Sequence, residues 1–275
     1  MFQLLQSATK GFYKMSPEPP KRPITNAFKD GAEQILGQAR AEVQSSRQPW
    51  YRAFQHTRVL IAVFLLLFIV FALLAWFVHI HPVLAIDVAI THEFQENRSP
   101  WLKDSMLAIS YLGSQALLFI PLVTITVIAF WLAKLRLEAI LIGAESIVSH
   151  YINTLLKIIV SRPRPTSSLV TIIQQASGQS FPSGHVMSYM AYWGLLLALT
   201  LILFKLNRWW HYVLVLVSLT FIVLIGPSRI YLGDHWASDV LGGYLFGGLL
   251  LGISLWIYLK LKKRGVLQEQ AQKEV

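Results

Sequence analysis

The sequence contains no cysteine. This absence excludes disulfide bonds, thiolate metal sites and a cysteine nucleophile. Charged residues are also scarce: they make up 14% of the 275 residues, against about 25% in soluble domains, while apolar residues make up 55%. The composition therefore excludes a disordered chain and disfavours an ordinary soluble domain.

Acidic residues are the scarcer of the two charge types, with 14 Asp and Glu against 24 Lys and Arg, so the formal net charge is +10. A positive charge spread between long apolar runs is typical of a membrane protein with basic cytoplasmic loops. It fits a nucleic-acid binder less well, and we expect no nucleic-acid partner.

The apolar residues fall into six blocks. The first has no charged residue and, as a helix, would span about 30 Å, the thickness of the hydrocarbon core. The blocks cover residues 59–78, 106–133, 139–156, 186–204, 209–225 and 236–259. The second is longer than one crossing requires, so we expect its start to form an interfacial helix. The predicted fold is all-α, an integral membrane bundle of six transmembrane helices.

This pattern divides the chain into a polar basic arm (1–57), a membrane domain (58–260) and a tail (261–275). Within the arm, apolar residues at helical spacing predict an amphipathic helix over 27–43. Six crossings place both termini on one side. Lys and Arg in the arm, in the loops after blocks two and four, and in the tail assign that side to the cytoplasm. We therefore predict a multi-pass cell-membrane protein with cytoplasmic termini.

Three short stretches fall at the opposite, extracytoplasmic ends of the last four blocks. They are the segment from Lys157 to Pro165, the PSGH sequence at 182–185, and the segment from Ser228 to Asp239. Together they supply several cations and a glycine-containing turn that leads into a helix N-terminus. Cations and N-terminal amides form anion sites, and arginine can bind phosphate oxygens in a bidentate way. A phosphate monoester or diphosphate is the expected ligand.

Two histidines add chemistry to this anion site. His235 and Asp239 are four residues apart at the start of a helix, so their side chains share a face. A carboxylate that accepts the Nδ1 proton would leave Nε2 free to attack phosphorus. His185, on another helix, could then protonate the leaving oxygen.

The order K-x6-RP, PSGH, SR-x5-H-x3-D resembles the type-2 phosphatidic acid phosphatase superfamily. That family contains membrane lipid phosphatases, undecaprenyl-diphosphate phosphatases, glucose-6-phosphatase and vanadium haloperoxidases. The motifs span about 140–255, and the helix layout extends the match to about 58. The resemblance implies a hydrolase without a metal or cofactor that forms a phosphohistidine at His235, with Asp239 as its partner and His185 as the acid. It implies phosphate binding by Lys157, Arg164, Ser183, Gly184 and Arg229.

The substrates usual in this family favour undecaprenyl diphosphate, then phosphatidate and phosphatidylglycerol phosphate. We expect the substrate to enter from the surrounding membrane lipids at the extracytoplasmic face. The alternative is a non-catalytic lipid-phosphate binder or transporter, which would need the cations but not the histidines. A metal hydrolase is disfavoured because, after Glu138, the motif-bearing blocks contain few carboxylates.

Three further features have structural interpretations. Arg162 also precedes a proline, but the spacing from Lys157 selects Arg164 for phosphate, and Arg162 is expected to contact headgroups or to support the site. Glu145 and Asn153 belong to a polar seam that leads to Lys157, for which we expect helix-to-helix hydrogen bonding or support of that lysine. The small-residue spacing of Gly243 and its neighbours predicts close helix packing within the bundle.

Overall fold

The computed structural model describes residues 33, 34, 37, 57–114, 116–264, 266 and 267. Regular structure in these residues is entirely helical. The helices are α1 (Thr57–Ile80), α2 (Ala85–Phe94), α3 (Pro100–Ser114), α4 (Ala116–Leu132), α5 (Arg136–Val160), α6 (Gly184–Tyr189), α7 (Leu195–Leu203), α8 (Trp209–Tyr231) and α9 (Ala237–Lys263). A π-helical turn, Met190–Gly194, joins α6 to α7. The amphipathic helix predicted over 27–43 lies outside the described residues, apart from positions 33, 34 and 37.

Five helical segments are long and apolar enough to cross a bilayer: Arg58–Ile80, Arg136–Val160, Gly184–Leu203, Trp209–Tyr231 and Ala237–Lys263. The all-α membrane architecture is therefore confirmed. The second predicted block is divided between α3 and α4, and the apolar part of α4, Leu118–Leu132, is shorter than the other five segments. The sixth crossing stays a prediction. The last helix ends at Lys263, three residues into the predicted tail.

Helix α9 packs against α1, α5, α6 and α8. Its glycines permit close approaches to α6 and the π-helical turn after it: a Cβ built on Gly243 would lie 2.8 Å from Cβ of Val186, and one on Gly247 would lie 2.9 Å from Cβ of Met190. These separations are shorter than real Cβ contacts, so only glycine fits at this depth. The predicted packing role of the glycine spacing is confirmed, and it fixes the start of α6 against α9.

The polar seam of α5 also joins helices, as predicted. Ser254 on α9 donates a hydrogen bond to Glu145, whose side chain is buried. Nearer the end of α5, the Asn153 amide donates to the backbone oxygen of Pro182 (3.2 Å) and to Sδ of Met187 (3.2 Å). Asn153 thus ties α5 to the turn that begins α6. The ends of α5, α6, α8 and α9 that hold the three motif stretches therefore meet at one end of the bundle.

Candidate active site

The turn between α8 and α9 positions His235. Gly233 in this turn has φ +75°, a left-handed conformation that favours glycine, and a Cβ there would lie 2.4 Å from the backbone oxygen of Thr171. The backbone N–H of Asp234 then returns to the backbone oxygen of Arg229 at the end of α8 (3.2 Å). This tight reversal places His235 one residue before the N-cap of α9, with its side chain buried.

The His235 imidazole has a different partner at each ring nitrogen. Nδ1 lies 3.5 Å from Oδ2 of Asp239 and 3.4 Å from Oγ of Ser180. Nη1 of Arg164, a donor, lies 3.4 Å from Nε2. Because a donor faces Nε2, we assign the proton to Nδ1 and the lone pair to Nε2. The structure thus brings together the His235, Asp239 and Arg164 side chains predicted from the sequence.

Burial lowers the pKa of His235 well below its ordinary value, and the nearby cations Arg164, Lys157 and Arg229 lower it further. Both causes disfavour a second positive charge on the ring. The imidazole is therefore neutral near pH 7 and keeps the Nε2 lone pair that nucleophilic attack requires.

Asp239 receives donors on both carboxylate oxygens. Oδ2 accepts from the Trp236 backbone N–H (2.9 Å) and from the Ser180 hydroxyl, while Oδ1 accepts from Nη1 of Arg162 (2.6 Å). The backbone oxygen of Asp239 accepts from the N–H of Ser183 (3.0 Å), which links this helix start to the PSGH turn. Ser180 was not predicted as a site residue because it lies far from Asp239 in the sequence. The fold of the loop 161–183 brings its hydroxyl to the Asp239 carboxylate.

Arg164 extends from that loop toward the imidazole. Its Nη1 donates to the backbone oxygen of Asp234 (2.7 Å), and its Nε donates to the backbone oxygen of Gly178 (3.1 Å). Burial lowers the pKa of the guanidinium, and the negative charge of Asp239 opposes that effect. A cavity of about 370 Å³ is lined in part by Arg164 and Asp234. The guanidinium therefore lies beside Nε2 of His235 and also lines this cavity.

The other two predicted cations occupy different environments. Lys157, near the end of α5, donates to the backbone oxygens of Gln179 and Ser180. Arg229 is fully buried; it forms an ion pair with Asp234 and donates to the Ser110 hydroxyl. The sequence did not predict Asp234 as the counter-ion of Arg229, although it directly precedes His235.

Three buried polar atoms at the predicted phosphate site have no hydrogen-bond partner within the described part of the chain. They are Oγ of Ser183, Nε2 of His185 and Nε of Arg229. Buried polar groups are nearly always paired, so these three atoms are candidates for contacts to a bound ligand. A Cβ on Gly184 would lie 2.8 Å from Oδ1 of Asn153, so glycine allows the turn to approach α5 closely.

Arg162 does not contact headgroups, and that part of its expected role is wrong. Its side chain is buried and forms ion pairs with Asp239 (2.6 Å) and Asp87 (2.7 Å). The two arginines of the RPRP sequence thus diverge: Arg164 faces Nε2 of His235, and Arg162 faces the carboxylate behind the ring. The contact with Asp239 agrees with the other expectation, a supporting contact, whose role stays a prediction. Asp87 was missed because it lies alone in an apolar stretch far from the motifs.

No group of three or more His, Asp or Glu side chains within the described ranges could hold a metal ion. The side chains at this site are a neutral imidazole, a second histidine and three cations.

Comparison with known proteins gives the same family as the motifs. The sequence model of the PAP2 superfamily matches residues 138–263, which include all three motif stretches. Phosphatidylglycerophosphatase B of Bacillus subtilis (strain 168) is 29% identical over 184 residues, which are 67% of this chain and 89% of that protein. Undecaprenyl-diphosphatase BcrC of the same strain is 32% identical over 120 residues, which are 42% of this chain and 56% of that protein.

The fold also matches a solved structure. The crystal structure of a transmembrane PAP2-type phosphatidylglycerolphosphate phosphatase from Bacillus subtilis aligns with a TM-score of 0.63 and 30% sequence identity. The alignment covers 73% of this chain and 98% of that chain. Motifs, sequence model and fold agree, and the chain therefore belongs to the PAP2 superfamily.

Proposed function

We propose that this membrane lipid phosphatase hydrolyses a phosphate or diphosphate end group through a phosphohistidine formed at His235. The observation that supports the proposal most is the imidazole itself, with Nδ1 3.5 Å from Oδ2 of Asp239 and Nε2 3.4 Å from Nη1 of Arg164. This arrangement presents a nucleophilic nitrogen next to a phosphate-binding cation.

In the first step, Nε2 of His235 attacks phosphorus, the N–P bond forms and the bond to the leaving oxygen breaks. His185 donates a proton to that oxygen, and the lipid alcohol or lipid phosphate departs. In the second step, His185, now neutral, takes a proton from water, and the resulting hydroxide attacks phosphorus. The N–P bond breaks, its electron pair returns to Nε2 of His235, and inorganic phosphate is released. Lys157, Arg164 and Arg229 stabilise charge on the transferring oxygens, together with the Ser183 hydroxyl and the Gly184 turn.

We place this chemistry at the extracytoplasmic face of the cell membrane. The helix ends that form the site are opposite the ends that hold Lys134, Lys205 and Lys260, and the positive-inside rule assigns those basic ends to the cytoplasm. A headgroup can then enter the site while its acyl or prenyl chain stays in the bilayer.

The two Bacillus relatives act on different lipids by name, which supports two candidate substrates. Phosphatidylglycerol phosphate comes first, because phosphatidylglycerophosphatase B is matched over 89% of its length. Undecaprenyl diphosphate, which the family resemblance alone ranked first, is the second candidate, because BcrC is matched over 56% of its length.

The test is phosphate release by the purified full-length protein from phosphatidylglycerol phosphate, undecaprenyl diphosphate and phosphatidate in detergent micelles. We expect turnover of at least one of these lipids and the highest kcat/KM for phosphatidylglycerol phosphate. Binding of the lipids without release of phosphate would contradict the proposal and favour the binder or transporter.

A further inference from the structure

A buried chain of charges extends behind the nucleophile, away from the phosphate site. The Arg162 guanidinium lies between two carboxylates: Nη1 contacts Oδ1 of Asp239 at 2.6 Å, and Nη2 contacts Oδ2 of Asp87 at 2.7 Å. The side chains of all three residues are at most 1% exposed. Buried charges are costly unless they are paired, so each of these groups depends on the next for compensation.

Asp87 belongs to α2, which precedes the segment matched by the PAP2 sequence model. Its carboxylate also binds the first turn of α9: Oδ1 accepts from the Ser238 N–H (2.8 Å), and Oδ2 accepts from the Ser238 hydroxyl (2.6 Å). A carboxylate at a helix N-terminus is favoured by the exposed amides and the helix dipole. Asp87 therefore fixes both Arg162 and the helix turn that holds Asp239.

The rotation of the Asp239 carboxylate depends on this network. Oδ1 accepts from Arg162, and Oδ2 accepts from Trp236 and Ser180. Arg162 Nη1 also donates to the Ser238 hydroxyl (2.7 Å), so the guanidinium has a fixed position between α2 and α9. With Oδ1 on Arg162, Oδ2 lies on the side of Trp236, Ser180 and Nδ1 of His235 (3.5 Å).

We propose that Asp87 and Arg162 are positioning residues for the phosphoryl transfer, acting through Asp239 on the orientation of the His235 imidazole. This inference rests on the proposed function. It assigns part of the catalytic geometry to α2, an element outside the three motifs. Neither residue contacts the phosphate in this scheme, so their loss should affect the chemical step more than binding.

The test compares Asp87→Asn with Glu93→Gln, which removes the same charge from an exposed position on the same helix. For each variant, kcat and KM are measured with the best lipid substrate, and orthovanadate gives an inhibition constant for the phosphate site. Because misplacing a reacting group is costly, we expect Asp87→Asn to lower kcat by about tenfold or more while KM and the vanadate constant change by less than about threefold. Glu93→Gln should stay within about twofold of the wild type on every measure.

Arg162 provides an ordered series for the same test. Lysine keeps the charge but lacks the fork that reaches both carboxylates, so Arg162→Lys should lose less kcat than Arg162→Gln but should not recover the wild-type value. Equal kcat in Asp87→Asn and the wild type overturns the inference. So do parallel losses in kcat and vanadate affinity, which would indicate general distortion of the site.

Should Asp87→Asn fail to fold, Ser238→Ala takes its place, because it removes one hydroxyl of the network and no charge. A kcat reduced about threefold or more with unchanged vanadate inhibition supports the inference, and a wild-type kcat contradicts it. Failure of the proposed function would look different: the wild-type protein would release no phosphate from any lipid, and the inference would then fall with it.

Discussion

Burial and nearby charge act on the His235 imidazole in the sense that the proposed attack on phosphorus requires. The ring is enclosed, three cations lie near it, and its pKa is lowered well below the ordinary value. With the pKa lowered, the neutral form persists as the pH falls through about 6.5, the range in which an unperturbed histidine becomes charged.

Histidine side-chain ¹⁵N NMR of the ligand-free protein tests this directly. At about pH 6, below the ordinary histidine pKa, we expect the His235 signal to report a neutral ring protonated at Nδ1. His235→Gln identifies the signal by its disappearance. An imidazolium signal from His235 at that pH would show that burial and the cations do not control its charge.

The motif residues could be predicted from the sequence, because each motif fixes the residue type and spacing that phosphate chemistry requires. Their supports could not. Ser180 comes from the loop 161–183 and Asp87 from α2, and both are far along the chain from Asp239 and Arg162. Asp234 lies within the third motif stretch, but the spacing alone did not indicate that it pairs with Arg229. Contact of Arg162 with headgroups was expected because nothing in the sequence indicates that Asp87 is its buried ion-pair partner.

At the scale of the element, the start of α6 is positioned by the glycine face of α9. Ser183 and His185 lie at this start, and Val186 packs against Gly243. The small-residue spacing predicted the glycine packing, and the apolar blocks predicted the approximate ends of the spans. The length of the second block predicted a separate helix at its start, and two helices, α3 and α4, are described over this block. Whether α3 is interfacial stays a prediction.

Two alanine substitutions on α9 test this packing. Gly243→Ala forces a Cβ to within 2.8 Å of Val186, whereas Gly248→Ala meets only the end of the Met190 side chain at 3.9 Å. We expect Gly243→Ala to lower the free energy of unfolding by about 1–3 kcal/mol and to reduce kcat, because overpacking displaces α6. Gly248→Ala should leave both nearly unchanged. The measurements are thermal unfolding in detergent and phosphate release; equal behaviour of the two variants would rule out this account of the helix contact.

At the scale of the whole molecule, the site and the basic loops lie at opposite ends of the helices. The chain has no cysteine, so single cysteines can report on each end without background. Gln179 is exposed at the site end, and Asn207 is exposed in the loop between α7 and α8. In intact cells, Gln179→Cys should react with a membrane-impermeant maleimide, and Asn207→Cys should react only after lysis. The reverse pattern would place the active site in the cytoplasm.

The central claim is that His235 becomes covalently phosphorylated during turnover. The most direct measurement is rapid mixing of the purified protein with substrate labelled in its terminal phosphate, followed by an alkaline quench that preserves phosphohistidine, and mass spectrometry of the peptides. The account predicts label on His235, formed at least as fast as steady-state turnover and absent from His235→Ala, which should still bind orthovanadate. Full turnover by His235→Ala, or turnover of the wild type without label on His235, would contradict it.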